Sequence, residues 1–177
     1  MWDIVKEVLI SRKALGSKWV FKIKKNANGT IACYKARLVV KEYEQCKGID
    51  YNETFTSVAK FTTICLLFTI AAIDDMEIHG MDVVTAFLNS ILSEEEAVYM
   101  KAPDSAGLPP GTIVKLRRTL YGLKQSPRKW NNCLNQHLLD IGFSRSVNDP
   151  ALYWKLGDDG PNFILVYVDD TLIFTLS

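Results

Sequence analysis

The stretch that decides the fold lies near the end of the chain and reads Phe163-Ile164-Leu165-Val166-Tyr167-Val168-Asp169-Asp170-Thr171-Leu172-Ile173-Phe174. Two runs of aliphatic, β-branched and aromatic residues flank adjacent carboxylates, which predicts a strand, a tight turn and a second strand. Asp169 and Asp170 are either ordinary turn residues, because Asp hydrogen-bonds its own backbone in turns, or ligands of a divalent cation. This stretch alone leaves both interpretations open.

The composition is typical of a globular protein. The chain has 177 residues, 48% of them hydrophobic, which suffices for the core of one domain or of two small lobes. Its four cysteines are widely separated and only two histidines accompany them, which disfavours zinc and indicates reduced, intracellular thiols. The longest apolar run is roughly half a membrane span, and no signal sequence is evident. We therefore expect a soluble protein without a membrane partner.

Charge is distributed unevenly along the chain. The formal net charge is +1, yet residues 1–60 carry 12 Lys or Arg against 6 Asp or Glu, whereas residues 61–177 carry 9 against 14. The first part should attract phosphates and the second cations. Such segregation also arises by chance on solvated surfaces, so it favours a nucleotide-handling protein without establishing one.

A β-hairpin with one basic face is predicted between Lys18 and Val40. Apolar and cationic residues alternate on both sides of the turn signal Asn-Ala-Asn-Gly at 26–29. The alternation predicts one face shared by Lys22, Lys24, Lys35 and Arg37. This face is either an ordinary solvated surface or a clamp for a triphosphate, with Lys as a point charge and Arg as a planar fork.

The other segments combine two helical patterns with several short strands and a hairpin, which predicts an α+β fold. In order, they are a mostly buried helix at 61–73, a strand at 76–83 that contains Asp82, short strands at 98–100 and 113–116, a helix opened by Ser126-Pro127 and ended by Gly142, and a hairpin at 151–155 and 162–168 that leads into the acidic pair.

Taken in order, these motifs resemble the reverse transcriptase region of copia-type long-terminal-repeat retrotransposons, which is part of a longer Pol polyprotein. A YVDD tetrapeptide alone would be weak evidence, but the ordered series over almost the whole chain is specific. The matching motifs are Trp19-Val20-Phe21-Lys22-Ile23-Lys24, Tyr34-Lys35-Ala36-Arg37-Leu38-Val39, Gly48-Ile49-Asp50-Tyr51, Glu53-Thr54-Phe55, Met81-Asp82-Val83, Ala86-Phe87-Leu88-Asn89, Val98-Tyr99-Met100, Leu120-Tyr121-Gly122-Leu123-Lys124-Gln125-Ser126-Pro127-Arg128 and Leu165-Val166-Tyr167-Val168-Asp169-Asp170.

The resemblance implies a polymerase palm, in which an antiparallel sheet packs on helices, together with a fingers β-hairpin. Residues from about 1 to 60 would form the fingers hairpin region, and those from about 61 to 177 the fingers and palm with the catalytic hairpin. The chain would stop at Ser177, at the end of the last strand, with the thumb and ribonuclease H domains absent.

The resemblance also implies roles for individual residues. Asp82, Asp169 and Asp170 would be the catalytic, metal-binding carboxylates, with Asp82 and Asp169 as main ligands of two Mg²⁺ ions, or of Mn²⁺. One ion would activate the primer 3′-hydroxyl, and the other would hold the triphosphate and the leaving pyrophosphate. Deoxynucleotide binding is implied for Lys35, Arg37, Phe87 and Gln125, where Phe87 would select deoxynucleotides over ribonucleotides.

Two functions from different classes follow. The first is an RNA-directed DNA polymerase domain that acts on an RNA or DNA template with primer and deoxynucleoside triphosphates, within the remainder of the Pol polyprotein. Its setting would be intracellular: the cytoplasm, virus-like particles or the nucleus. The alternative is a non-catalytic retrotransposon remnant that at most binds nucleic acid. A mixed α/β domain unrelated to nucleotides is the third and weakest hypothesis.

Overall fold

The computed structural model describes residues 1–9 and 11–176, so the predicted chain end at Ser177 lies outside the described residues. The strands are β1 (Trp2–Val5), β2 (Ala14–Leu15), β3 (Ser17–Lys25), β4 (Ile31–Val40), β5 (Glu77–Asp82), β6 (Tyr99–Lys101), β7 (Ile113–Leu116), β8 (Ser144–Arg145), β9 (Leu152–Leu156), β10 (Pro161–Tyr167) and β11 (Asp170–Thr175). The α-helices are α1 (Phe61–Ile73) and α2 (Ser126–Asp140), and short 3-10 helices occupy Glu42–Glu44, Ala86–Asn89, Glu94–Glu96 and Asp104–Ala106. The predicted α+β fold is confirmed.

The chain divides into two compact units, each made of two separate stretches. The first unit comprises Met1–Thr54 and Phe87–Lys129, and the second comprises Phe55–Ala86 and Trp130–Ser177. These units are defined by compactness alone. The assignment of residues 1–60 to the fingers hairpin region and of 61–177 to the fingers and palm therefore stays a prediction. Within residues 1–9 and 11–176, no helix is long and apolar enough to cross a membrane.

The first unit contains a four-stranded sheet and the β3–β4 hairpin. The sheet has the order β1-β7-β6-β2 and is antiparallel except for the β2–β6 pair. Its core is apolar, and Leu15, Val98, Met100 and Val114 are fully buried in it. The hairpin turn at Asn26–Gly29 lies where the sequence predicts it, and Gly29 has a φ of 83°, which glycine adopts readily.

The second unit is built on a five-stranded antiparallel sheet of order β5-β11-β10-β9-β8. Because successive strand residues point to opposite faces, β10 serves two cores at once. Leu165 packs in a core with Leu67 and Ala71 of α1, whereas Ile164 packs in a core with Leu138 of α2. The sheet is therefore covered by α1 on one face and by the part of α2 after residue 129 on the other.

The prediction that helix 61–73 is mostly buried is wrong. Its bounds agree with the prediction, but its buried residues are Thr63, Leu67 and Ala71, which are spaced four apart on one side. Phe61 and Ile73 are 77% and 75% exposed. A helix without any charged residue carries no pattern that marks its outward side, so its composition overstates its burial.

Helix α1 is capped by a carboxylate that lies far away in the sequence. Asp149 is 3% exposed, and its carboxylate accepts hydrogen bonds from the backbone N–H of Lys60 (3.0 Å), the hydroxyl of Thr63 (2.6 Å) and the backbone N–H of Ala151 (3.0 Å). Burial alone raises the pKa of Asp149, but these hydrogen bonds outweigh it and the pKa lies below its ordinary value of 3.8. Asp149 thus joins the start of α1 to the segment before β9.

We predict that Asp149→Asn lowers the free energy of unfolding by about 2–3 kcal/mol, because three donors lose a charged acceptor. The stabilisation by Asp149 is fully present above its unfolded pKa and is lost as the pH falls through its lower folded pKa. Urea unfolding at pH 7, and at steps from pH 5 to pH 2, measures both effects. Asp158→Asn, in an exposed turn of the same unit, is the control. Identical pH dependence of wild type and Asp149→Asn below pH 5 would contradict this assignment.

Candidate active site

The register of β5 against β11 sets two carboxylates directly opposite each other. Asp82 pairs with Asp170, so their side chains project from the same face of the sheet. Like charges in this position destabilise an antiparallel pair. Within residues 1–9 and 11–176, the structure records no ion pair between a basic side chain and Asp82, Asp169 or Asp170. The repulsion between the paired acids is therefore not offset by a protein cation.

The turn that joins β10 to β11 is held in an unusual conformation. Tyr167 pairs with Asp170, so the turn consists of Val168 and Asp169, and Asp170 belongs to the strand rather than to the turn. Val168 has a φ of 62°, a left-handed conformation that is rare for a β-branched residue. Strain of this kind persists only where the surrounding structure holds the backbone in place.

Two hydrogen bonds hold this turn. The indole N–H of Trp130 donates to the carbonyl of Val168 at 2.7 Å, and the backbone N–H of Val83 donates to the carbonyl of Asp169 at 3.0 Å. Trp130 is 6% exposed, so its ring is fixed by packing. Both turn carbonyls are thus tied to neighbouring elements, which positions the acidic residues beside the end of β5.

A cavity of about 500 Å³ adjoins the acidic pair within the second unit. Asp82 and Asp170 lie in its wall, and much of the remaining wall is apolar, formed by residues that include Ala59, Ile64 and Leu165. Asp82 and Asp170 are themselves exposed, so a cation can reach both carboxylates from solvent.

The donor set fits a hard divalent cation, although it is not a complete cage. Among residues 1–9 and 11–176, no group of three His, Cys, Asp or Glu side chains is close enough to hold a metal ion. Mg²⁺ commonly takes one or two protein carboxylates and completes its shell with water and substrate phosphates, which is what the Asp82–Asp170 pair offers. Metal ligation by Asp82, Asp169 and Asp170 stays a prediction.

The first unit carries the predicted basic face. Lys22 pairs with Lys35 and Val20 pairs with Arg37, so the register places Lys22, Lys24, Lys35 and Arg37 on one face of the β3–β4 hairpin. The close approach of the Lys24 ammonium group lowers the pKa of Lys35. Crowded ammonium groups of this kind are relieved by a bound anion.

Arg37 and Phe87 are brought together through a residue that sequence reasoning missed. The guanidinium of Arg37 lies over the Tyr121 ring, 5.5 Å from its centroid, and the Phe87 ring meets Tyr121 edge-on with the centroids 5.1 Å apart. The N–H of Val40 donates to the carbonyl of Tyr121 at 2.8 Å, which ties this residue to β4. The only available sequence signal was the position of Tyr121 within the motif at 120–128.

Gly122, which follows Tyr121, allows this segment to lie close to β4. Gly122 has a φ of 87°, and a Cβ added there would lie 2.2 Å from the carbonyl oxygen of Val40. Any other residue would push the segment away from β4. Gly122 therefore permits the close contact that positions the Tyr121 ring.

Gln125, for which a nucleotide contact is predicted, is buried inside the first unit. It is 3% exposed, its Nε2 donates to the carbonyl of Asp50 at 3.0 Å, and its Oε1 accepts from the Nε2 of Gln45 at 3.0 Å. Both ends of its amide are therefore used inside the first unit. A nucleotide contact by Gln125 stays a prediction.

Comparison with known proteins identifies the family. The family model described as reverse transcriptase (RNA-dependent DNA polymerase) matches residues 1–176. The chain belongs to this family. The resemblance to copia-type retrotransposon reverse transcriptases is thereby confirmed.

Plant transposon proteins are similar to this reverse transcriptase family member. The retrovirus-related Pol polyprotein from transposon TNT 1-94 of Nicotiana tabacum is 42% identical over 167 residues, which cover 92% of this chain. That from transposon RE1 of Arabidopsis thaliana is 41% identical over 174 residues, which cover 97% of this chain. The chain spans 12% of the length of each of these relatives.

We predict that Trp130→Phe loosens the acidic turn, because the Val168 carbonyl loses its donor. The free energy of unfolding should fall by about 1–2 kcal/mol. The amide of Val83, which donates to the turn, should exchange its hydrogen faster in NMR experiments. Trp154→Phe, at a residue 45% exposed on β9, provides the control and should leave the Val83 exchange rate unchanged. Equal exchange in both variants would show that Trp130 does not hold the turn.

Proposed function

We propose that this chain supplies the nucleotidyl-transfer chemistry of a copia-type retrotransposon RNA-directed DNA polymerase. The observation that carries the proposal is the register that pairs Asp82 with Asp170 beside a turn held by two hydrogen bonds. Asp82 and Asp170 are both exposed, and neither forms an ion pair with a basic side chain among residues 1–9 and 11–176, so both are available to a cation. Family membership supplies the reaction class.

The three acidic residues of the second unit are proposed to bind divalent metal, Mg²⁺ first and Mn²⁺ as the alternative. Bound divalent cations lower the pKa of an attacking hydroxyl and neutralise charge on the triphosphate. The contribution of the chain is to hold Asp82 and Asp170 on adjacent strands and Asp169 in the turn between β10 and β11. Asp82 and Asp169 are proposed as the main ligands, and Asp170 supports them.

The first unit is proposed to bind the deoxynucleoside triphosphate. Lys35 and Arg37 supply positive charge for the phosphates, and Phe87 restricts the sugar to deoxyribose. Gln125 stays in the proposed set, and Tyr121 joins it because its ring contacts both Arg37 and Phe87.

The partners follow from the family. Relatives of this chain are Pol polyproteins from transposons, and we propose that it likewise acts within a longer polyprotein on a primed RNA or DNA template.

A second candidate function is that of a non-catalytic chain that only binds nucleic acid. The observation that favours it is the basic face of the β3–β4 hairpin, which carries Lys22, Lys24, Lys35 and Arg37.

Primer extension tests the proposed function. The full chain is incubated with a primed RNA template, deoxynucleotides and Mg²⁺ or Mn²⁺. Incorporation is expected for wild type and should fall at least about 100-fold in Asp82→Asn and in Asp169→Asn, because each variant removes one charge of the metal site. Asp158→Asn is the matched control, since Asp158 and Asp159 form another adjacent pair in a hairpin turn.

Melting temperatures of the same proteins separate the two candidate functions. At about ten times its Kd, a metal that binds only the folded state stabilises it by about 1.4 kcal/mol, which raises the melting temperature by a few degrees. The rise should occur in wild type and in Asp158→Asn and disappear in Asp82→Asn. Nucleic-acid binding with neither incorporation nor a metal-dependent rise would favour the non-catalytic chain.

We predict that Tyr121→Leu weakens binding of deoxynucleoside triphosphate by about 2- to 30-fold, because Arg37 loses the ring beneath it. Tyr121→Phe keeps the ring and should bind like wild type. Calorimetric titration with dTTP measures the effect. Tyr51→Leu is the matched control, since it removes a ring that lies under Lys124 at 5.1 Å in the same unit. An equal loss in both leucine variants would refute a specific role for Tyr121.

A further inference from the structure

The hydroxyl of Thr119 holds the backbone of Phe87, the residue proposed to restrict the sugar to deoxyribose. Thr119 is fully buried in the first unit, and its Oγ1 donates a hydrogen bond to the carbonyl of Phe87. Phe87 lies in the short 3-10 helix Ala86–Asn89 and is half-buried. A buried hydroxyl that is used by one backbone carbonyl fixes the position of that carbonyl.

The stretch that follows this short helix is held at further points by the same segment. The backbone N–H of Thr119 donates to the carbonyl of Ser90 at 3.0 Å, and the guanidinium of Arg118 donates to the carbonyl of Leu88 at 3.2 Å. Ile91 and Arg118 also form an antiparallel β-bridge. The two segments are therefore joined through both backbone and side chains.

The ring of Phe87 is held as well as its backbone. Tyr121 follows Thr119 by two positions, and its ring meets the Phe87 ring edge-on with the centroids 5.1 Å apart. Thr119 and Tyr121 thus reach Phe87 from one segment, one at the carbonyl and the other at the ring. Because a phenylalanine side chain has only two rotatable bonds, these two contacts define the orientation of its ring.

Sugar selection by an aromatic ring depends on where the ring lies. The ring of Phe87 offers no hydrogen bond to a 2′-hydroxyl, so it can reject that group only by occupying its space. A constellation of this kind has to be held to within roughly 0.5 Å of its working geometry by the residues around it. The hydrogen bond from Thr119 is therefore placed where it bears directly on selection.

We propose that Thr119 is a positioning residue for sugar selection: its hydroxyl holds Phe87 where the ring excludes the 2′-hydroxyl of a ribonucleoside triphosphate. Thr119 is fully buried, so it acts through Phe87 and not by touching the nucleotide. Arg118 supports the same short helix through the carbonyl of Leu88. The inference rests on the proposed role of Phe87 and deepens it.

Calorimetric titration of the full chain with dTTP and with ribothymidine triphosphate tests the proposal, because these nucleotides differ only in the 2′-hydroxyl. The readout is the ratio of the two affinities. Thr119→Val keeps the shape and removes the donor, and it should lower the preference for dTTP about 3- to 10-fold, the factor that corresponds to one hydrogen bond. Thr119→Ser keeps the hydroxyl and should keep the wild-type ratio. A merely structural role would weaken both nucleotides equally and leave the ratio unchanged.

Thr112→Val is the matched control, because the Thr112 hydroxyl also donates to a backbone carbonyl of the first unit, that of Pro109 at 2.6 Å. It should leave the ratio unchanged. Phe87→Val removes the ring itself and should lower the preference for dTTP. In that background Thr119→Val should change the ratio no further, because two residues that act through one ring are not additive.

Thermal melts show which variants fold. Arg118 is exposed, so Arg118→Gln tests the same helix with little risk to folding, and it should lower the ratio about twofold. The proposal is overturned by an unchanged ratio in folded Thr119→Val, by an unchanged ratio in Arg118→Gln where Thr119→Val does not fold, or by an equal fall in Thr112→Val.

A further fall when Thr119→Val is added to Phe87→Val would overturn it too. An unchanged ratio in Phe87→Val, or no preference for dTTP in wild type, would instead contradict the proposed role of Phe87 and remove the inference with it. These affinities do not require turnover, so failed primer extension leaves the result unaffected.

Discussion

The antiparallel register of β5, β11 and β10 is the constraint on which the candidate active site depends. Leu172 and Phe174 of β11 must face the core that includes α1, and a shift by one residue would turn both to the other side of the sheet. The same register then requires Asp170 to lie opposite Asp82. Burial of apolar side chains along the strands thus holds two like charges side by side at the strand ends, although they repel each other there.

The turn adds a second constraint of the same kind. A β-branched residue at a φ of 62° is unfavourable, and glycine would fit there more easily. The conformation is held from outside, by a buried indole on one carbonyl and by a backbone amide after β5 on the other. Packing of the second unit therefore supplies the rigidity that a cation site requires of its ligands, and the turn sequence alone does not.

The first unit shows that two residues of one family motif take different structural positions. Gln125 and Tyr121 belong to one motif, and a polar amide was the natural candidate for a nucleotide contact. The structure buries that amide among the backbone and side chains of residues 45–50, while the Tyr121 ring contacts Arg37 and Phe87. Sequence proximity within a motif does not reveal which side chain turns inward, because that depends on partners roughly 80 positions away.

By itself the sequence determined the local structure and the family. Alternation predicted the β3–β4 hairpin and its basic face, helix 61–73 agrees with α1, and the ordered motifs identified the reverse transcriptase family, since periodicity and motif order are local properties of the chain. Only the tertiary structure decided that Asp82 faces Asp170, that α1 buries one side, that Asp149 caps it and that Tyr121 joins Arg37 to Phe87. Each of these depends on contacts between residues distant in sequence, and such contacts follow from how the sheet and helices pack rather than from any pattern of neighbouring residues.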